Sequence, residues 1–192
     1  MKKIILLFTL VLPLLSFEKQ KDDFILENLN PPETYWEIPE GSCGEACLYS
    51  VSRFFKINIS QKEINELANS PGRGIHSNEI LKILRKLEIP FQNISTNVKN
   101  YSKFVEENIL QNIKKGNPVL LGVKIYPDEN PKWVCDHFIL IVGYNEKTKE
   151  LIYNSNDERN RISIEKLLNK KDGYSLLHKS KYVYAIKFTS KG

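Results

Sequence analysis

The sequence predicts an α+β domain, with helices in its first half and an antiparallel sheet in its second. Three observations carry that reading. From residue 43 to 115 the apolar residues recur at helical spacing, and from 118 to 188 they fall into short runs of strand length. The 192 residues give room for one well-buried core. Helices gathered ahead of strands, rather than alternating with them, segregate into two layers that meet along the first helix.

Each element follows from local pattern. Met1-Lys2-Lys3, the apolar run Ile4 to Leu15 and Ser16 make residues 1–16 a signal peptide, whose apolar run is short for a transmembrane helix. Cleavage is expected after Ser16, and the absence of a nearby Cys argues against a lipid-anchored form. The mature chain would therefore be exported, periplasmic or secreted, with no stable membrane anchor; an uncleaved anchor is the alternative. Residues 17–34 are polar and close on Pro31-Pro32, so they read as a leader segment into a domain spanning 35–192.

From Cys43 to Lys56 a stripe of Cys47, Val51, Phe54 and Phe55 marks an amphipathic helix. Ser60-Gln61-Lys62-Glu63 is a capping box that opens a second helix, with Ile64 and Leu67 inward. A Pro/Gly turn over 69–74 ends it. Ser77 caps a third helix through Ile80, Ile83, Leu84 and Leu87, and a fourth runs from about Ser102 to Lys115, stopped by Gly116. Strands follow at Pro118 to Tyr126 and at His137 to Tyr144, the second apolar throughout and so buried on both faces. A polar turn from Asn145 to Lys149 leads into Leu151-Ile152-Tyr153 as a hairpin. A short helix is expected over 163–169 and a last strand over 182–188.

Composition narrows the function. With 41% hydrophobic and 27% charged residues the chain is neither disordered nor collagen-like. The formal charge of +5 comes from 28 basic and 23 acidic residues spread along the chain, and no run forms a nucleic-acid stripe. Among the cysteines, an odd number in an oxidising compartment means one disulfide with one free thiol, or three free thiols.

Cys43 stands where a turn becomes the first helix. A thiol there meets unsatisfied backbone N–H groups and the positive end of the helix dipole, both of which favour thiolate. Gly44 beside it lets a substrate backbone approach. Asp136-His137 opens the most apolar strand, where packing of helix on sheet would bring the imidazole to the sulfur. A base needs an orienting group, and the next strand ends in Tyr153-Asn154. Cys47 lies on the apolar stripe and reads as a buried structural residue. Cys135 would share the face of His137 in an extended segment, so a Cys47–Cys135 disulfide leaving Cys43 free is an open possibility. His76, ahead of a helix cap, reads as a surface residue.

The stretch Cys43-Gly44-Glu45-Ala46-Cys47-Leu48, with Asp136-His137-Phe138 and Gly143-Tyr144, resembles the peptidase family that includes the double-glycine leader peptidases of bacteriocin exporters, and within it the secreted stand-alone relatives. The likeness runs from about Trp36 to Phe188. It implies a papain-like cysteine peptidase fold, with N-terminal helices packed on a C-terminal antiparallel sheet, and no cofactor. It also implies Cys43 as nucleophile, His137 as general base and a peptide or protein substrate. The family's third member, an Asp or Asn shortly after the strand that follows the His, falls at Asn154, with Asp157 as the alternative. The chain departs at Glu37, where the family has a Gln that donates to the oxyanion; loss of such a donor costs about 10²–10³ in turnover. Two other readings use the same residues: a catalytically inactive peptide-binding domain, and a structural zinc site built from Cys43, Cys47, Cys135 and His137.

Overall fold

A computed structural model describes residues 23–189 of the chain; the expected signal peptide lies outside the described residues. After a short strand at Asp23–Ile25 come three helices: α1 (Cys43–Phe54), α2 (Gln61–Ala68) and α3 (Ser77–Lys86). α1 buries Cys47, Leu48 and Val51 almost completely, as its stripe requires. α2 opens on the expected box: Ser60 Oγ accepts from the Glu63 N–H, and the Glu63 carboxylate accepts from the Ser60 N–H at 2.8 Å. α3 starts one residue away from the expected cap. The Glu79 carboxylate reaches back to the His76 N–H at 2.7 Å, which makes His76 the capping position and Ser77 the first helical residue. The fourth helical stretch runs through α4 (Tyr101–Phe104), a π-helical turn (Val105–Leu110) and α5 (Gln111–Lys114).

The sheet is built from β1 (Asp23–Ile25), β2 (Phe91–Asn93), β4 (Val119–Tyr126), β5 (His137–Asn145), β6 (Glu150–Ser155), β7 (Glu158–Ser163), β8 (Gly173–Ser175) and β10 (Ala185–Phe188). Its order is β2-β10-β4-β5-β6-β7, with β1 added to β5 and β8 to β4, every pairing antiparallel. β3 (Thr96–Asn97) pairs with β9 (Tyr182–Val183) apart from it. The expected last strand is thus two, β9 and β10, separated at Tyr184. The short helix expected over 163–169 is α6 (Ile164–Leu167), with Ser163 as its cap. β5 is central and buried from Phe138 to Asn145, which is why it reads as an unbroken apolar run.

One boundary is corrected. Much of the segment read as a polar leader belongs to the domain: β1 pairs with β5 over Gly143–Asn145, and Leu26 and Leu29 are buried in the core. The apolar residues Phe24-Ile25-Leu26 and Leu29 form only a short run flanked by acids and amides, so the polar composition of the segment hides them. Gly143 makes the docking possible, because a Cβ there would stand 2.5 Å from the Phe24 carbonyl oxygen.

Candidate active site

α1 points its first turn at the start of β5. The Phe138 N–H is directed to the Cys43 sulfur, and Cys47 Sγ donates to the Phe138 carbonyl at 3.6 Å. The main-chain N–H and carbonyl of Phe138 are therefore gripped by two thiols a helical turn apart, which holds the start of α1 against the strand one residue beyond His137. The entry to α1 is fastened too. Tyr35 Oη accepts from the Ser42 N–H at 2.5 Å, and Ser42 Oγ donates to the Trp36 carbonyl.

Cys43 lies in an open cleft of about 760 Å³. Gly41, Gly44, Gly74 and Ile75 form one side, and the segment Trp133 to Asp136 with Phe138 forms the other. Trp133 and Val134 are exposed at 55% and 38% and give this side an apolar rim. Both walls are irregular, and each rests on a buried charged side chain. Glu45 Oε1 accepts from Asn65 Nδ2 and from the Ile75 N–H on the helical side. On the sheet side Lys124 Nζ donates to Asp128, Asp136 and the Asn130 carbonyl.

The resting charge state follows from burial. Desolvation pushes the Cys43 thiol up to about 11, against N–H groups of Phe138, Gly44 and Cys43 itself that favour the thiolate. Desolvation also pulls the His137 imidazole down to about 4, although Asp136 favours its charged form. At neutral pH the proton stays on sulfur and the imidazole is uncharged.

The partner of the imidazole differs from the expected one. His137 Nε2 lies 2.8 Å from Ser155 Oγ. Asn154, one residue earlier, faces the other side of the sheet, where its Nδ2 donates to the Leu29 carbonyl and its Oδ1 accepts from Arg159. Successive strand side chains alternate in face, so a displacement of one position along β6 exchanges the two roles. Asp157 sits exposed in the β6–β7 turn and is not brought to His137. Ser155 and Tyr174 are the functional candidates missed in the sequence; Tyr174 stacks on the His137 ring, with centroids 5.1 Å apart and planes at 10°.

The other candidates separate as well. Glu37 is exposed and is not among the residues lining the cleft. All three cysteines are free thiols, so the Cys47–Cys135 disulfide is not formed. Cys47 is directed at Phe138, while Cys135 Sγ packs near Gly122, 3.0 Å from where a Cβ would stand. Among the described residues no group of three His, Cys, Asp or Glu side chains could hold a metal ion, so the four-ligand set of the zinc reading does not assemble. No described helix is long and apolar enough to cross a membrane.

This architecture has counterparts among solved structures. The peptidase domain of Streptococcus ComA, a bifunctional ABC transporter involved in a quorum sensing pathway, superposes with a TM-score of 0.52 at 18% identity over 80% of this chain and 96% of that one. A double-glycine motif protease from an AMS/PCAT transporter, solved in complex with the leader peptide, gives 0.52 at 14% identity over 84% and 94%. At such identities the likeness is one of fold. No curated protein sequence matches significantly. A family profile does, over residues 16–177, which takes in α1, β5 and the residues around both Cys43 and His137. With its helices packed on an antiparallel sheet in the papain-like manner, the chain belongs to the Peptidase_C39 like family.

Proposed function

We propose that this chain is a cysteine peptidase or amide hydrolase in which Cys43 attacks a peptide carbonyl and His137 carries the proton. The observation that supports it most is the junction of α1 with β5 on an open cleft, where a thiol at a helix start meets the peptide next to a buried imidazole. As sulfur bonds to the carbonyl carbon, its proton passes to the imidazole. The C–N bond then breaks, the leaving amine takes that proton, and a thioester remains. Water, deprotonated by the same imidazole, releases the acid; an amine in its place would give acyl transfer. The Cys43 N–H at the helix start is the oxyanion donor in this scheme. The leader peptide bound to the AMS/PCAT protease supports a peptide as substrate here. The basic and apolar pattern of residues 1–16 supports export.

Cys43→Ala and His137→Ala should each abolish turnover while leaving thermal unfolding nearly unchanged. Intact-mass measurement after incubation with an electrophilic peptide probe should show one adduct on wild type and none on Cys43→Ala. A folded variant with near-wild-type turnover would refute the assignment. The uncharged thiol–imidazole pair favours a second reading, a domain that binds peptide without cleaving it. Saturable peptide binding with no labelling of Cys43 would select that reading.

A further inference from the structure

We infer that Ser155 is the positioning residue of the His137 imidazole, acting with Tyr174 as a neutral hydroxyl pair in the place where a carboxylate or amide is expected. This rests on the assignment of Cys43 and His137 made above. Three contacts define the ring. Ser155 Oγ meets Nε2 at 2.8 Å, the same oxygen meets Tyr174 Oη at 3.2 Å, and the Tyr174 ring lies parallel to the imidazole. Tyr153 closes on Tyr174 edge-on, with centroids 5.9 Å apart. The stack fixes the plane of the imidazole and the hydroxyl fixes its rotation within that plane. Nε2–H donates to Ser155 Oγ, whose own O–H donates to Tyr174 Oη, and Nδ1 is the nitrogen that exchanges a proton with sulfur.

A hydroxyl can orient an imidazole without offsetting its positive charge. The groups around the ring offer little else. Tyr153 and Tyr174 come from β6 and β8, with Cys43 of α1 within electrostatic reach of Tyr174 and Glu158 of β7 near both tyrosines. Asp136 heads β5, but its carboxylate is taken up by Lys124 and the Ile125 N–H. Burial therefore holds the pair as thiol and neutral imidazole, and the proton moves only as the carbonyl is attacked. A carboxylate at position 155 would convert this site to a thiolate–imidazolium pair.

The test is the pH dependence of Cys43 alkylation by iodoacetamide, with the His137 imidazole pKa read by NMR. Wild type should react appreciably only on the alkaline side. Ser155→Asp should add a plateau near neutral pH, raising the rate there by about 10- to 10³-fold, the effect of an opposite charge that shifts a pKa by about 1–3 units. Ser155→Ala should lower the imidazole pKa and Ser155→Thr should restore it, which keeps the test decisive if the Asp variant does not fold. An unmoved imidazole pKa in Ser155→Ala, or an unmoved alkylation profile in folded Ser155→Asp, would overturn the assignment. Iodoacetamide needs no peptide site, so a shifted profile without cleavage of any peptide would refute the hydrolase and sustain Ser155. Cleavage together with an unmoved profile would do the reverse.

Discussion

The two walls of the cleft solve the same problem with opposite charges. On the helical side the segment 70–76 hangs from Glu45, which is fully buried and whose Oε1 gathers Asn65 Nδ2 at 2.6 Å and the Ile75 N–H at 3.1 Å. Asn65 also donates to the Arg73 carbonyl. On the sheet side the segment 127–136 wraps around Lys124, 1% exposed, whose ammonium meets Asp128 at 2.8 Å, Asp136 at 2.9 Å and the Asn130 carbonyl at 2.8 Å. Lys124 is a fully matched ion. Glu45 is not: its Oε2 is buried with no partner, and burial raises its pKa despite the donors on Oε1. One wall is held by an ion pair, the other by a carboxyl group that keeps its proton more readily than usual.

That contrast predicts a graded set of effects. The largest is expected for Lys124→Met, which strands two carboxylates and should cost about 3–5 kcal/mol in denaturant unfolding. Peptide KM should rise as the Trp133 wall loosens, while iodoacetamide still reaches Cys43. A cost near zero would show that the ammonium is not what secures this wall. Gly74→Ala comes next. Its Cβ would stand 2.1 Å from the Gly41 carbonyl oxygen, so backbone must move, at about 1–3 kcal/mol. Because Gly41 leads into Cys43, the labelling rate of Cys43 should change with it; an unchanged rate would uncouple the wall from the thiol.

Smaller effects test the charge state of the helical wall. The folded pKa of Glu45 lies above its ordinary 4.5, so the unfolded chain ionises first and wild-type stability falls as pH rises from 4.5 through the raised value. Glu45→Gln removes that step, and its stability relative to wild type should improve across the same window; parallel pH–stability curves would refute this. Glu79 behaves in the opposite sense. Burial works against its ionisation, but hydrogen bonds from Arg73, the His76 N–H and Ser70 hold it down to about 2. Its contribution is therefore present above 4.5 and is lost as pH falls toward 2. The Arg73–Glu79 pair is partly exposed, so Arg73→Ala should cost no more than about 1 kcal/mol. A loss as large as that of Lys124→Met would erase the distinction between the walls.

Glu37→Gln should do least of all, since the side chain is exposed and away from the cleft lining. Under the proposed activity, the ratio of turnover by variant and wild type should stay flat with pH, and a rise above neutral would place the carboxylate at the oxyanion after all.

Most of the fold was legible because its signals are local. The stripe of α1, the box at Ser60 and the apolar run of β5 each declare an element within about a dozen residues. β7 carries no strand signal in the sequence, because Glu158, Arg159, Asn160 and Arg161 form an edge whose only apolar anchor is Ile162. β1 is hidden for another reason: its value lies in pairing with β5, more than a hundred residues away.

The sequence by itself determined that a cysteine begins the first helix and a histidine begins the most buried strand, since both depend on periodicity and on turn residues close by. It also determined that the longer helices precede the run of central strands from β4 to β7. Only the tertiary structure decided which neighbour serves the imidazole. Asn154 and Ser155 are adjacent in β6, and the register Leu140↔Asn154, with the irregularity between Ile141 and Gly143, turns one toward Leu29 and Arg159 and the other toward His137. Strand register is set by distant hydrogen bonds and by which face is buried, and a step of one residue reverses the answer.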